Sequence, residues 1–131
     1  MNVSEQLYTM SRDGDLQGVK SLIQSGVDPD VISNHNPKTA CWIATYRRHN
    51  SILRLLLEHG ANPNFKNSEG IAPLYFAIAF QNFEAVKLLV DYGADTTTPD
   101  NKGHPPLYYA QNNECQEIID YVRGNNHKSD I

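Results

Sequence analysis

Five histidines and two cysteines are the side chains in this sequence best suited to binding a metal or attacking an electrophile. The histidines are His35, His49, His59, His104 and His127. Two ligands on one helix face need a spacing such as i and i+4, and no histidine pairs with another ligand in that way. Cys41 and Cys115 are too few and too far apart for a disulfide framework or a zinc site. Both are therefore expected to be free thiols in a reducing compartment, with a cytoplasmic location. Nucleophilic catalysis needs a base beside the nucleophile, and neither Ser4, Ser11 nor Cys41 has one at a suitable spacing. Gly14 and Gly18 bracket Asp15-Leu16-Gln17, which reads as a turn between helices rather than a phosphate loop. These residues lead us to expect no catalytic centre, no cofactor and no metal; the chain does not read as an enzyme.

The elements that carry these residues follow from composition and periodicity. With 131 residues, 40% hydrophobic and 20% charged, the chain is the size and composition of one folded domain. A net charge of -4 provides no general attraction to nucleic acid or to an anionic membrane. Apolar runs such as Ile52 to Leu57 are too short to span a bilayer, and Arg54 interrupts this one. The N-terminal residues lack the basic-then-apolar pattern of a secretory signal.

The dominant signal is an internal repeat. Thr39-Ala40-Cys41-Trp42-Ile43-Ala44, Ala72-Pro73-Leu74-Tyr75-Phe76-Ala77 and Pro105-Pro106-Leu107-Tyr108-Tyr109-Ala110 recur at steps of 33 residues. Leu55-Leu56-Leu57-Glu58-His59-Gly60-Ala61-Asn62 matches Leu88-Leu89-Val90-Asp91-Tyr92-Gly93-Ala94-Asp95 at the same offset. Leu22-Ile23-Gln24-Ser25-Gly26-Val27-Asp28 fits at 34, which puts one additional residue between Ser33 and Asn36. Each unit reads as two helices. The first starts near a proline or small residue, as in Ala72-Pro73-Leu74, where a missing N–H does no harm. Asp15, Asn50 and Asn82 are expected to open the second helices, accepting bonds from free N–H groups. Gly26, Gly60 and Gly93 close them. Turn-forming stretches such as Asn62 to Gly70 separate the units.

This pattern, a Pro-Leu-Tyr-x-Ala hexapeptide followed by Glu-Ala-Val-Lys-Leu-Leu-Val-x-x-Gly-Ala-Asp, resembles the ankyrin repeat. The resemblance implies an all-α solenoid of four helix-loop-helix units with projecting hairpin-like loops. The units run approximately over 1–32, 33–66, 67–99 and 100–124, forming one domain over 1–124 with a polar tail at 125–131. The sequence departs from the family where a histidine that tethers neighbouring loops is replaced by Trp42, Tyr75 and Tyr108. A tyrosine hydroxyl is able to substitute, whereas Trp42 has one donor and no acceptor, so loop tethering in the second unit is expected to be weaker. His49 falls at a structural histidine position of the family, Cys41 at a buried leucine position, and Arg54 at a solvated lysine position.

The resemblance also implies where a partner would bind: on the loop tips and on the exposed face of each first helix, along one concave side. By position the loop tips hold His35, Asn36 and Lys38, then Lys66, Ser68, Glu69 and Ile71, then Asn101, Lys102 and His104. The helix face holds Arg12 and Asp13, Tyr46 and Arg47, Ala79 and Phe80, then Asn112 and Asn113. Tyr46, Arg47 and Phe80 fall where the family exposes side chains, and Tyr and Arg are of the types that dominate binding energy at interfaces. Equally, Phe80 leaning on its own stack and Tyr46 half-buried would be ordinary packing. No Asp or Glu occurs between Val31 and Leu57, which carry Lys38, Arg47, Arg48 and Arg54. Both flanks are acidic, so a protein partner with an acidic patch facing this second unit is expected, rather than nucleic acid or membrane.

These readings lead to a stand-alone, non-catalytic protein-binding module, monomeric when free, that inhibits, masks or neutralises its partner. The alternative is a scaffold or adaptor bridging two proteins. Its C-terminal Lys128-Ser129-Asp130-Ile131 weakly matches the tails captured by PDZ domains.

Overall fold

The computed structural model describes residues 2–33 and 38–128, with side chains as far as 124. Within them lie eight helices and no strand: α1 Val3–Asp13, α2 Leu16–Gln24, α3 Ala40–Tyr46, α4 Asn50–Glu58, α5 Pro73–Ala79, α6 Phe83–Asp91, α7 Pro106–Asn113 and α8 Gln116–Lys128. Consecutive helices pair as α1–α2, α3–α4, α5–α6 and α7–α8. The pairs stack in register, so that the first helices form one layer (α1, α3, α5, α7) and the second helices another (α2, α4, α6, α8). This is the all-α helix-pair solenoid that the repeat implied.

Apolar side chains fill the space between the layers. Leu7, Val19, Cys41, Leu53, Leu56, Leu74, Ile78, Val86, Leu89, Ile118 and Val122 are buried almost completely. Each fully buried leucine or valine contributes about 1.5–3 kcal/mol relative to exposure. Cys41 occupies the place that Leu7 and Leu74 hold in their units, and burial pushes its thiol up to about 12. It is a core filler and not a nucleophile at neutral pH.

Helix ends follow local chemistry. Pro73 and Pro106 occupy the first helical positions of α5 and α7, where no N–H is needed. Thr39 caps α3 by accepting from the Trp42 N–H at 3.2 Å. Gly26, Gly60 and Gly93 are left-handed, and Val27, Ala61 and Ala94 return bonds to the carbonyls of Leu22, Leu56 and Leu89. At the second helices one expectation is corrected. Asp15 and Asn82 do cap α2 and α6, bonding the N–H groups of Gly18 and Ala85. Asn50, however, is the first helical residue of α4, and His49 is the N-cap without a side-chain bond to the helix. The Asn50 amide instead forms a reciprocal pair with Asn82, at 3.0 and 2.8 Å, joining two units. The one-residue difference arises because His49 is the true register equivalent of Asn82, and its ring is directed at the preceding unit. There its Nε2 lies 3.0 Å from the Arg12 carbonyl.

The turn between the helices of each pair needs one left-handed residue. Gly14 provides it in the first unit at φ 82°. Arg48, Gln81 and Glu114 provide it in the others at φ 63°, 53° and 58°, where a Cβ is strained. Two of these reach the following unit: Arg48 Nη1 donates to the Phe80 carbonyl at 2.9 Å and Gln81 Nε2 to that of Asn113 at 3.3 Å. Glu114 is exposed and carries no such bond to a described residue. Glu114→Gly is expected to stabilise the chain by about 0.5–1 kcal/mol by relieving this backbone. Gly14→Ala should destabilise it by more than about 1 kcal/mol, because its Cβ would also lie 2.9 Å from the His49 ring. Thermal and urea melts of the two variants check both signs.

Candidate functional site

The loops that join the units are built on short polar side chains. Asn67 Oδ1 accepts from the N–H groups of Glu69 and Ile71, at 2.9 and 3.0 Å. Asp100 Oδ1 does the same for Lys102 and His104, both at 3.0 Å. The Asn67 N–H bonds the Ile71 carbonyl, that of Asp100 bonds His104, and that of Ser33 bonds Lys38. This common bracket places the additional residue of the second unit between Ser33 and Lys38. Neighbouring tips also hold one another, Asn101 donating from its amide to the Ser68 carbonyl at 2.9 Å. Burial raises the pKa of the Asp100 carboxyl, but bonds from the Tyr109 hydroxyl and the two N–H groups outweigh it and leave it below the ordinary value. The same bond to Asp100, with burial, pushes the Tyr109 phenol up to about 12.

The tethering position behaves differently in each unit. Tyr75 is buried, with its hydroxyl 2.9 Å from the Thr98 carbonyl and 3.1 Å from that of His104. Trp42 reaches the Ile71 carbonyl through Nε1 at 3.4 Å, a longer bond from its only donor. Tyr108 makes no such bond in the described residues and stacks face to face on His104 at 3.9 Å.

On the face of the first helices the aromatic rings of two units meet. Trp42 stacks on Tyr46 at 5.5 Å and meets Phe76 edge-on at 4.8 Å. Tyr46 in turn lies 5.1 Å from Phe76 and 5.9 Å from Phe80. Tyr46 and Phe80 keep 43% and 41% of their surface exposed, which is large for rings in a folded chain. Lys38 Nζ lies 4.5 Å over the Trp42 ring. Beside this patch a groove of about 380 Å³ is lined by Lys38, Trp42, Phe65, Lys66, Ser68 and Glu69. On its other side a dent of about 220 Å³ is lined by Ile71, Tyr75, Phe76, Ala79, Lys102 and Tyr109.

The family model for ankyrin repeats in three copies matches residues 7–100 and again 60–131. The chain belongs to the ankyrin repeat family. Ankyrin repeats generally act as protein-binding units and not as catalysts. Similar proteins include the Arabidopsis thaliana serine/threonine-protein kinase 12, 30% identical over 63% of this chain and 18% of that one. A putative ankyrin repeat protein of Fowlpox virus is 30% identical over 57% of this chain and 10% of its own length. Another, from Pyrobaculum aerophilum, is 36% identical over 59% of this chain and 28% of its own. This ankyrin chain therefore matches less than a third of the length of each of these relatives. Among the described residues no three His, Cys, Asp or Glu side chains are grouped to hold a metal ion. Nor is any helix among the described residues long and apolar enough to cross a membrane.

The ankyrin stack distributes the sequence-predicted site residues unevenly. Lys38, Lys66 and Glu69 converge on the groove, Ile71 and Lys102 on the dent, and Tyr46 and Phe80 on the patch between them. Arg47 is exposed at the end of α3, near Tyr8 and Asp13. His104 is half-buried under Tyr108. Asn112 is exposed, whereas the Asn113 amide donates to the Ile78 carbonyl at 2.8 Å and so ties two units together. His35 and Asn36 lie outside the described residues, as do Ser129 to Ile131 of the tail. Three ring systems central to the face, Trp42, Phe76 and Tyr109, were not among the predicted site residues. A signal for two of them existed: Trp42 precedes Tyr46, and Phe76 precedes Phe80, by the four residues that align side chains on a helix.

One carboxylate in this loop system makes a pH prediction. Asp95 Oδ1 accepts from the Thr97 N–H, the Thr97 hydroxyl and the Thr98 N–H. Burial raises its pKa, but a bond from the Thr98 hydroxyl together with these three prevails and lowers it from 3.8 to about 2. A depressed carboxylate pKa supplies stability that is complete above the unfolded value, about pH 4, and is lost as the pH falls through about 2. Asp95 is part-exposed, so the contribution is about 1 kcal/mol. Asp95→Asn is expected to lower stability by that amount at pH 7, the difference from wild type closing between about pH 4 and pH 2 in urea melts.

Proposed function

We propose that this chain is a non-catalytic module whose first-helix face and loop tips bind a specific protein and mask the surface that protein uses. The observation that carries the reading is an aromatic cluster spanning two units, in which Tyr46 and Phe80 are exposed, Phe76 is half-buried and Trp42 is buried against Tyr46 and Phe76. Rings of this kind bury large areas with little entropy loss, and truncating such an anchor costs about 2 kcal/mol or more of binding. The cations around the patch support a partner with an acidic surface. Arg12 pairs with Asp13 and Arg54 with Glu84, and Arg47 lies within electrostatic range of Asp13, while Lys38, Lys66 and Lys102 form no ion pair with a described carboxylate. The two free thiols suit a reducing compartment such as the cytosol.

A second reading, an adaptor holding two proteins, draws on the other layer. A groove of about 440 Å³ lies there, lined by Arg54, Phe83, Glu84, Lys87, Leu88 and Asp91. The experiment is affinity capture from cell lysate with wild type and with a Tyr46→Ala/Arg47→Ala/Phe80→Ala variant whose fold is checked by circular dichroism. Loss of one captured protein with the folded variant is expected. A one-to-one complex that abolishes the partner's activity supports masking, and a ternary complex supports the adaptor. Unchanged capture by the variant would remove the first-helix face from consideration.

A further inference from the structure

The dent between the third and fourth units exists because of one residue. The helix-face position is Arg12 in the first unit, Tyr46 in the second and Asn112 in the fourth, but Ala79 in the third. Where Ala79 lacks a long side chain, Phe76 and Tyr109 stand as walls, with Ile71 and Tyr75 beside them and Lys102 at the edge. The space, about 220 Å³, is equivalent to roughly seven waters at about 30 Å³ each. Its lining is mainly apolar, so water gains little there and an apolar side chain gains more. Phe76 also touches Trp42, so the dent is continuous with the patch and, across it, with the groove of Lys38 and Lys66.

Charge defines what would lie across this path. Lys102 stands exposed at one end, exposed Lys66 and half-buried Lys38 at the other, and none pairs with a described carboxylate. The Asp100 carboxylate behind the dent is already engaged by the Tyr109 hydroxyl and the N–H groups of Lys102 and His104. Glu69 is the acidic exception within the groove. We infer that the Ala79 dent is a socket for one large apolar side chain of an acidic protein segment, its flanking carboxylates meeting Lys102 on one side and Lys38 and Lys66 on the other. This rests on the proposed protein-binding role and specifies what that face selects.

Trp42 is the single tryptophan of the chain and contacts a socket wall, so its fluorescence reports occupancy. Three synthetic peptides in a Gly/Ser background serve as probes: Glu-Asp-Phe-Asp-Glu, Glu-Asp-Ala-Asp-Glu and Lys-Arg-Phe-Arg-Lys. The acidic phenylalanine peptide is expected to bind about tenfold or more tightly than either control. Ala79→Leu, which fills the socket at an exposed position, and Lys102→Glu should each weaken it about tenfold. Ala79→Ser and Lys102→Arg should leave it within about threefold. Equal binding of the three peptides, or unchanged binding to Ala79→Leu, overturns the inference. If Ala79→Leu captures the cellular partner as wild type does while the Tyr46/Arg47/Phe80 variant does not, the socket falls and the binding face stands.

Discussion

Helices of seven to nine residues do not hold their shape in water by themselves. Six of the eight described helices, α2 to α7, are of this length. Their stability has to come from neighbours, and the neighbours are equally short. Stacking between units is therefore the interaction on which everything else rests. It is apolar between the layers, where Leu53, Leu56, Val86 and Leu89 close the core. At the two edges it is polar, and there each unit borrows hydrogen bonds from the next. His49 meets the Arg12 carbonyl, Asn50 pairs with Asn82, and Asn113 reaches Ile78. At the loop bases Asp30 receives the Asn62 N–H and Asn64 receives that of Asp95. A buried amide with two good partners both stabilises and fixes register, since a shifted neighbour would leave it unsatisfied.

The same scaffold does not dictate which side chains stand on the proposed binding face. A position facing the next loop has to be filled, and Tyr75 fills it by burying its ring and turning its hydroxyl to two carbonyls. Trp42, larger and with a single donor, meets the requirement less closely and presents a ring face to Lys38 and Tyr46. A weaker tether and a buried base for the surface that Tyr46 exposes are here two properties of one side chain. Phe76 and Phe80 extend that surface into the next unit. An aromatic patch spanning two units is held only as rigidly as the interface between them, so the stacking bonds at Asn50, Asn82 and Arg48 also keep the face in shape.

Much of the fold was legible in the sequence because its period is local and repeated. Steps of 33 residues, with glycines and prolines at fixed places, dictate helix ends whose chemistry is short-range. Asn50 shows where this reasoning fails. An asparagine at a helix start reads as a cap, but whether the side chain turns to its own helix or to a neighbour depends on a partner 32 residues away. Asn113 fails for the same reason: it has the composition of an exposed residue and the geometry of a stacking bond. The face itself was partly legible. Tyr46 and Phe80 stood out by type, whereas Phe76 matters only through rings contributed by the preceding unit. The dent at Ala79 is an absence of side chain, visible only once the walls on either side are in place.

The left-handed turns between paired helices have a consequence for the length of such a stack. Arg48 and Gln81 adopt a backbone that is unfavourable for them, and each uses its side chain to grip the next unit's carbonyl. The unfavourable part belongs to one unit and the favourable part exists only between two. A single unit cut from the array would keep the first and lose the second. Each added neighbour thus makes the units already present more comfortable in their own conformations. An array built in this way resists shortening more strongly than its buried area alone would indicate, and its cooperativity is written partly into two turn residues, Arg48 and Gln81.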